Sequence, residues 1–229
     1  PLSSWSGCDS ASGSSCTVAM AGDRTVTVNY ETANHVPTLA AVSDLIVPEG
    51  AGEQSVSLGG ISAGPGEESQ PLTVTAVSSD PALVPDPAVS FTQGDTTGTL
   101  SFTPAPDAFG TATITVTVTD DGGPPYDTFA RTFLVTVVGV NDAPVFVKGG
   151  DQVVPEDGGP QSVAGWATGI SAGPDNENSQ TLSFTTTSNS NPSLFSAQPA
   201  VAADGTLTFT PAANASGAAV VTVQLRDDG

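Results

Sequence analysis

The sequence predicts an all-β fold, and three observations carry that prediction. In TATITVTVT, residues 111–119, Ala112, Ile114, Val116 and Val118 fall on one side and threonines on the other. That period of two is the mark of a half-buried antiparallel strand. Short runs of similar character are set apart by Gly, Pro and Asp, with 25 Gly and 19 Pro in 229 residues. Almost no long segment carries the 3.6-residue period of a helix.

Taken in order, strands are expected at residues 44–47, 55–58, 72–77, 89–91, 97–103, 111–119 and 128–138. The strand at 111–119 ends on Asp120 and Asp121, two adjacent carboxylates followed by two glycines. Short strands separated by turns over roughly 100 residues suggest an immunoglobulin-like sandwich.

The pattern is written twice. VPEG (47–50) matches VPED (154–157), TLSFTPA (99–105) matches TLTFTPA (206–212), and NHVP (34–37) matches NDAP (141–144), each 107 residues apart. Asp120 and Asp227 keep the same spacing, while GISAGP at 60–65 recurs at 169–174 with a two-residue insertion just before it, near Trp166. Such self-similarity implies tandem repeats, 34–140 and 141–229, after a leading segment 1–33. The second repeat stops before any counterpart of 128–138, so a neighbouring strand is expected to keep an unpaired edge, an association hazard. RTVTVNYETANHVP (24–37) resembles RTFLVTVVGVNDAP (131–144). Either the last strand is simply absent, or copies donate strands to one another in a filament. Pairing of residues 24–31 only within their own chain would remove the second reading.

Composition narrows the function. Asp and Glu number 24 against 4 Lys and Arg, a net charge of −20. Such a surface repels nucleic acid and anionic membranes and attracts cations. A hydrophobic content of 38% argues against disorder. No apolar run approaches the ~20 residues of a membrane span. With no initiating Met and no signal peptide at Pro1, the chain reads as a piece of something larger. Cys8 and Cys16 flank a small loop-like segment and are expected to form a disulfide in an exported protein. Their spacing does not fit a zinc site, and the single histidine, His35, cannot complete one or build a hydrolytic triad.

Other motifs add little. No acid sits in an apolar context that would raise its pKa for general-acid work. No Gly-rich loop is followed by Lys in the phosphate-binding pattern. Asn214 matches a glycosylation sequon, as chance alone allows. Trp166 reads as a packed hydrophobe at a strand end rather than a sugar-stacking platform. Trp5 is assigned equally to the core of the leading module.

VPEG and VPED, GISAGP, FTPAPDAFG with FTPAANASG, VTVTDDGG and VNDAP occur together. On these motifs residues 34–229 resemble the tandem cadherin-like and immunoglobulin-like repeats of large bacterial surface proteins. Residues 1–31 separately resemble the end of an internalin-type B repeat, in WSGCDSASGSSCTVAM and DRTVTVNYE. The resemblance implies a non-enzymatic, extracellular stalk with Ca2+ between consecutive modules. Its ligands would be Glu49 from the Pro-Glu motif, Asn141 and Asp142 from the linker, and Asp175, Asn176 and Glu177 from AGPDNEN. Asp227 or Asp228 would add a strand-end carboxylate, and Asp107 stands where another acidic loop is found. The first repeat offers Asn34, Glu67, Glu68, Asp120 and Asp121, but His35 replaces the linker aspartate, which weakens that site. Glu156 would await a further module. The Leu-Asp-Arg-Glu signature is missing, which favours one ion per junction over three.

Physical chemistry points the same way. Calcium takes six to eight oxygen ligands, which carboxylates and turn carbonyls supply. Two carboxylates ~5 Å apart repel by roughly 3 kcal/mol at an effective dielectric of ~20. A bound cation relieves that repulsion and stabilises the fold by mass action. A plain solvated Asp-Gly turn accounts for Asp120 and Asp121 as well. The expected function is a calcium-rigidified extender stalk whose partners are neighbouring repeats of the same chain. Its alternatives are a filament subunit built from copies of itself, or a glycan-binding accessory module of a secreted enzyme.

Overall fold

The computed structural model describes residues 2–19, 21–30, 34–67 and 69–229, so Glu68 lies outside the described residues. The chain divides into two compact units. The first comprises Pro1–Leu45, Gly52–Thr103 and Thr111–Thr136; the second comprises Ile46–Ala51, Pro104–Gly110 and Val137–Gly229. These limits differ from a cut at residue 140, because Glu49 accepts the Val140 N–H at 2.6 Å and so joins the second unit.

Four short strands open the chain: β1 (Leu2–Ser6), β2 (Ser10–Ser12), β3 (Ser15–Thr17) and β4 (Thr27–Tyr30). Strand β2 pairs with β3 beside the Cys8–Cys16 disulfide. Strand β1 pairs antiparallel with β4. Part of the segment named as a possible donor, Thr27–Tyr30, thus pairs with β1 of its own chain.

Then follow β5 (Leu45–Pro48), β6 (Gln54–Gly59), β7 (Leu72–Ser78), β8 (Ala88–Phe91), β9 (Thr97–Phe102), β10 (Gly110–Asp120) and β11 (Thr128–Val138). They form two sheets, in the orders β5-β11-β10-β7 and β6-β9-β8. Each strand expected from the sequence forms within one or two residues of its predicted limits. Alternation does the sorting: Ala112, Ile114, Val116 and Val118 are buried in β10, while Leu58, Leu100, Phe133 and Val135 are buried on other strands. Full burial of each large side chain contributes about 1.5–3 kcal/mol.

The second unit adds β12 (Val145–Lys148), β13 (Gln161–Val163), β14 (Ala167–Ser171), β15 (Ser183–Asn189), β16 (Phe195–Val201), β17 (Leu207–Pro211) and β18 (Val221–Arg226). Short 3₁₀ turns lie at Asp175–Glu177 and Pro192–Leu194. The ladders are β12-β14, β13-β17-β16 and β15-β18. Ala167, Val201, Leu207 and Phe209 centre the core. Edge-on ring pairs extend it, Phe146–Phe184 at 5.1 Å and Phe195–Phe209 at 5.9 Å. Trp166 packs on this core and donates its indole N–H to the Gly150 carbonyl at 3.1 Å, as a structural hydrophobe does.

One difference between the repeats follows from length. Strand β10 stands between β7 and β11, whereas its counterpart β18 pairs with β15 alone. Residues 152–155, the counterpart of β5, lie in no ladder, and Val153 is 95% exposed.

Candidate cation site

Strand parity decides which aspartate of each acidic pair enters the site. Asp120 continues the inward series 112, 114, 116, 118 and is buried, leaving Asp121 exposed. Asp227 continues Val221, Val223 and Leu225 in the same sense and is half-buried, leaving Asp228 exposed. Burial thus reaches three acids, Glu67, Asp120 and Glu177, which are 4%, 6% and 5% exposed. Among their contacts are N–H donors of the linker residues.

In the second unit, Asp142 donates its backbone N–H to Glu177 Oε1 at 2.8 Å. Asn141 Nδ2 donates to Asp227 Oδ1 at 3.1 Å, and Gln180 Nε2 donates to Asn141 Oδ1 at 2.8 Å. Glu49 receives Asn176 Nδ2 at 2.8 Å. Glu49, Phe109, Asn141, Asn176, Glu177 and Gln180 help line an open cleft of about 280 Å³.

The first unit repeats the pattern. His35 donates its backbone N–H to both Glu67 oxygens, at 3.0 and 3.2 Å. Asn34 Nδ2 donates to Asp120 Oδ1 at 3.2 Å, and Gln70 Nε2 reaches Asn34 Oδ1 at 3.4 Å. Here the His35 ring adds a contact, Nδ1 to Glu67 Oε2 at 3.5 Å. The equivalent oxygen of Glu177 has no partner.

Of the other candidates, Asp107 is exposed on a turn at φ 52°, and Glu156 and Asp175 are also exposed. Asp175 accepts a hydrogen bond from Asn178 at 3.3 Å. The two glutamines were missed by sequence reasoning. Their signal was present, since Ser-Gln follows both GISAGP motifs.

The loop glycines are dictated by the acids they face. A Cβ on Gly173 would run into Glu177 Oε2 and stand 3.2 Å from the Asp142 Cβ. Gly173→Ala is therefore expected to push Glu177 off the linker N–H. The cost is about 1–3 kcal/mol for the exposed or unpaired groups, read as a lower urea midpoint for the second unit.

Six buried side-chain oxygens among the described residues lack any hydrogen-bond partner: Gln70 Oε1, Asp120 Oδ2, Asn176 Oδ1, Glu177 Oε2, Gln180 Oε1 and Asp227 Oδ2. Leaving such atoms unsatisfied costs about 1–3 kcal/mol each. All are hard oxygen donors, the chemistry calcium selects, so the residues fit that ion. No group of three or more His, Cys, Asp or Glu gathers among the described residues, and the partnerless oxygens belong to three carboxylates and three carboxamides.

Asp228 plays another part. The Thr181 N–H, 2.6 Å away, together with the Thr181 hydroxyl, holds its carboxyl below the ordinary aspartate range. A depressed folded-state pKa means this contact is fully present above the ordinary aspartate value. It fades as pH falls through the lowered one. A carboxyl-carbon NMR titration should find Asp228 protonating below the ordinary aspartate range.

Residues 141–229 match the family model described as Bacterial Ig domain. No curated protein matches the chain. Among solved structures, titin domains z1z2 in complex with telethonin are 15% identical with a TM-score of 0.38, covering 86% of this chain and 96% of that one. The Ig1-2 module of the Drosophila receptor protein tyrosine phosphatase DLAR is 14% identical with a TM-score of 0.33, covering 85% and 92%. Domains 4 and 5 of the S-layer protein SbsC are 17% identical with a TM-score of 0.30, covering 51% and 52%. The molecule is an all-β tandem of immunoglobulin-like repeats, with the match to the bacterial domain model lying in its second repeat.

Proposed function

We propose that this chain is a structural repeat region of a bacterial extracellular surface protein, a stalk stiffened by calcium rather than an enzyme. The observation that carries the reading is the set of partnerless buried oxygens at the linker end of each repeat. Asn176, Glu177, Gln180 and Asp227, with Glu49, would hold the ion in the second unit. Asp120 and Gln70 would hold a weaker one in the first, where the His35 ring already contacts Glu67. Bound calcium supplies positive charge and oxygen coordination where the acids otherwise repel. The chain's own groups fix the linker, through the Asp142 N–H on Glu177 and the Val140 N–H on Glu49.

The Cys8–Cys16 disulfide supports an oxidising compartment. No described helix is long and apolar enough to cross a membrane. Trp166 is half-buried and packs against the core of the second unit, which favours the stalk over the glycan-binding alternative. Small-angle scattering and thermal melting, each with calcium and with chelator, test the stalk. Calcium is expected to raise the midpoint and stiffen the particle. Identical midpoints and dimensions in both buffers would overturn the proposal.

A further inference from the structure

Both units contain the same hydrogen-bonded set, built from residues at matching repeat positions. It comprises Asn34, Gln70 and Asp120 in the first unit, and Asn141, Gln180 and Asp227 in the second. In each, the linker asparagine is gripped at both ends of its carboxamide. Its Nδ2 donates to the strand-end aspartate, and its Oδ1 accepts from the glutamine. The aspartate sets the orientation, since an ionised carboxylate only accepts and so must face the asparagine Nδ2. Next to each clasp the backbone is pared to glycine: a Cβ on Gly122 would strike Asn34 Oδ1, and one on Gly229 would strike Asn141 Oδ1. Gly122 and Gly229 stand 107 residues apart, so the clearance is repeated along with the clasp.

We infer that Gln70 and Gln180 are positioning residues of a metal-independent clasp that anchors each linker to its own repeat. This role differs from ion binding. The glutamine acts through its N–H₂ on the asparagine, a donor–acceptor contact that itself requires no cation. The clasp therefore holds the linker while calcium is absent, keeping the acids and amides of the site in place for the ion.

Amide hydrogen exchange on the full chain in excess chelator tests it. Gln180→Leu is expected to speed exchange of the Asp142 N–H about tenfold, and Gln70→Leu to do the same at His35, with amides of β17 and β9 unchanged. Unchanged linker exchange in both variants overturns the inference. So does faster exchange that appears only with calcium present, because the glutamine N–H₂ groups would then not hold the linker without the ion. Should core amides also lose protection, Asn141→Leu decides, because it keeps the side-chain size and removes the donor to Asp227 without placing a second carboxylate beside it. Linker exchange faster than wild type in that variant supports the clasp, and unchanged exchange overturns it. The calcium proposal is judged separately, by wild type with calcium against wild type with chelator.

Discussion

Calcium at about a hundred times its dissociation constant should stabilise the second unit by about 2.7 kcal/mol, a rise in unfolding midpoint on the order of 10 °C. Glu177→Gln should abolish most of that rise. The substitution preserves shape and removes the one anionic side chain that is buried, linker-bound and left with a partnerless oxygen in the second unit. Calorimetry of both proteins with calcium and with chelator measures the effect. If the variant gains as much from calcium as the wild type does, Glu177 is not a ligand. The equivalent change, Glu67→Gln, should alter the calcium response less, because the His35 ring already contacts the Glu67 oxygen.

The second large effect concerns the core. Ile114 is fully buried at the centre of β10, the strand whose far end carries Asp120. Ile114→Ala is expected to destabilise the first unit by about 2–5 kcal/mol through lost burial and a residual cavity. Thr113→Ala, one residue away on the exposed side, should change stability by less than ~0.5 kcal/mol. Denaturant titration compares the two, and equal losses would contradict the parity by which β10 is read. Because Asp120 is aimed by the same strand, a loosened β10 should also weaken the hydrogen bond from Asn34.

Why was so much of this visible in the sequence? Period-two alternation at TATITVTVT depends on only one physical rule, that successive strand residues face opposite sides. The rule even separates Asp120 from Asp121 once the series is carried two positions further. The repeat offset likewise paired Glu49 with the VPED motif, and Asn34 with Asn141. What could not be read were contacts across long sequence separations. Nothing local to Gln180 says that it reaches Asn141, or that Asn176 reaches Glu49. Asp107 lies exposed on a left-handed turn, a placement that its acidic motif does not reveal. Burial of Glu67 and Glu177 was also hidden, since it depends on backbone N–H groups that are invisible in residue type.

Among the described residues strand β18 ladders with β15 alone, and β-proteins ordinarily shield an open flank with lysine, proline or a covering loop. Here the molecule's surplus of negative charge can act as the shield, since two copies approaching flank to flank repel before their backbones meet. That shield is only as thick as the ionic atmosphere, about 8 Å at physiological salt. Brine, or acid strong enough to discharge the carboxylates, strips it away, and colloidal stability should fail there before the sandwich itself unfolds.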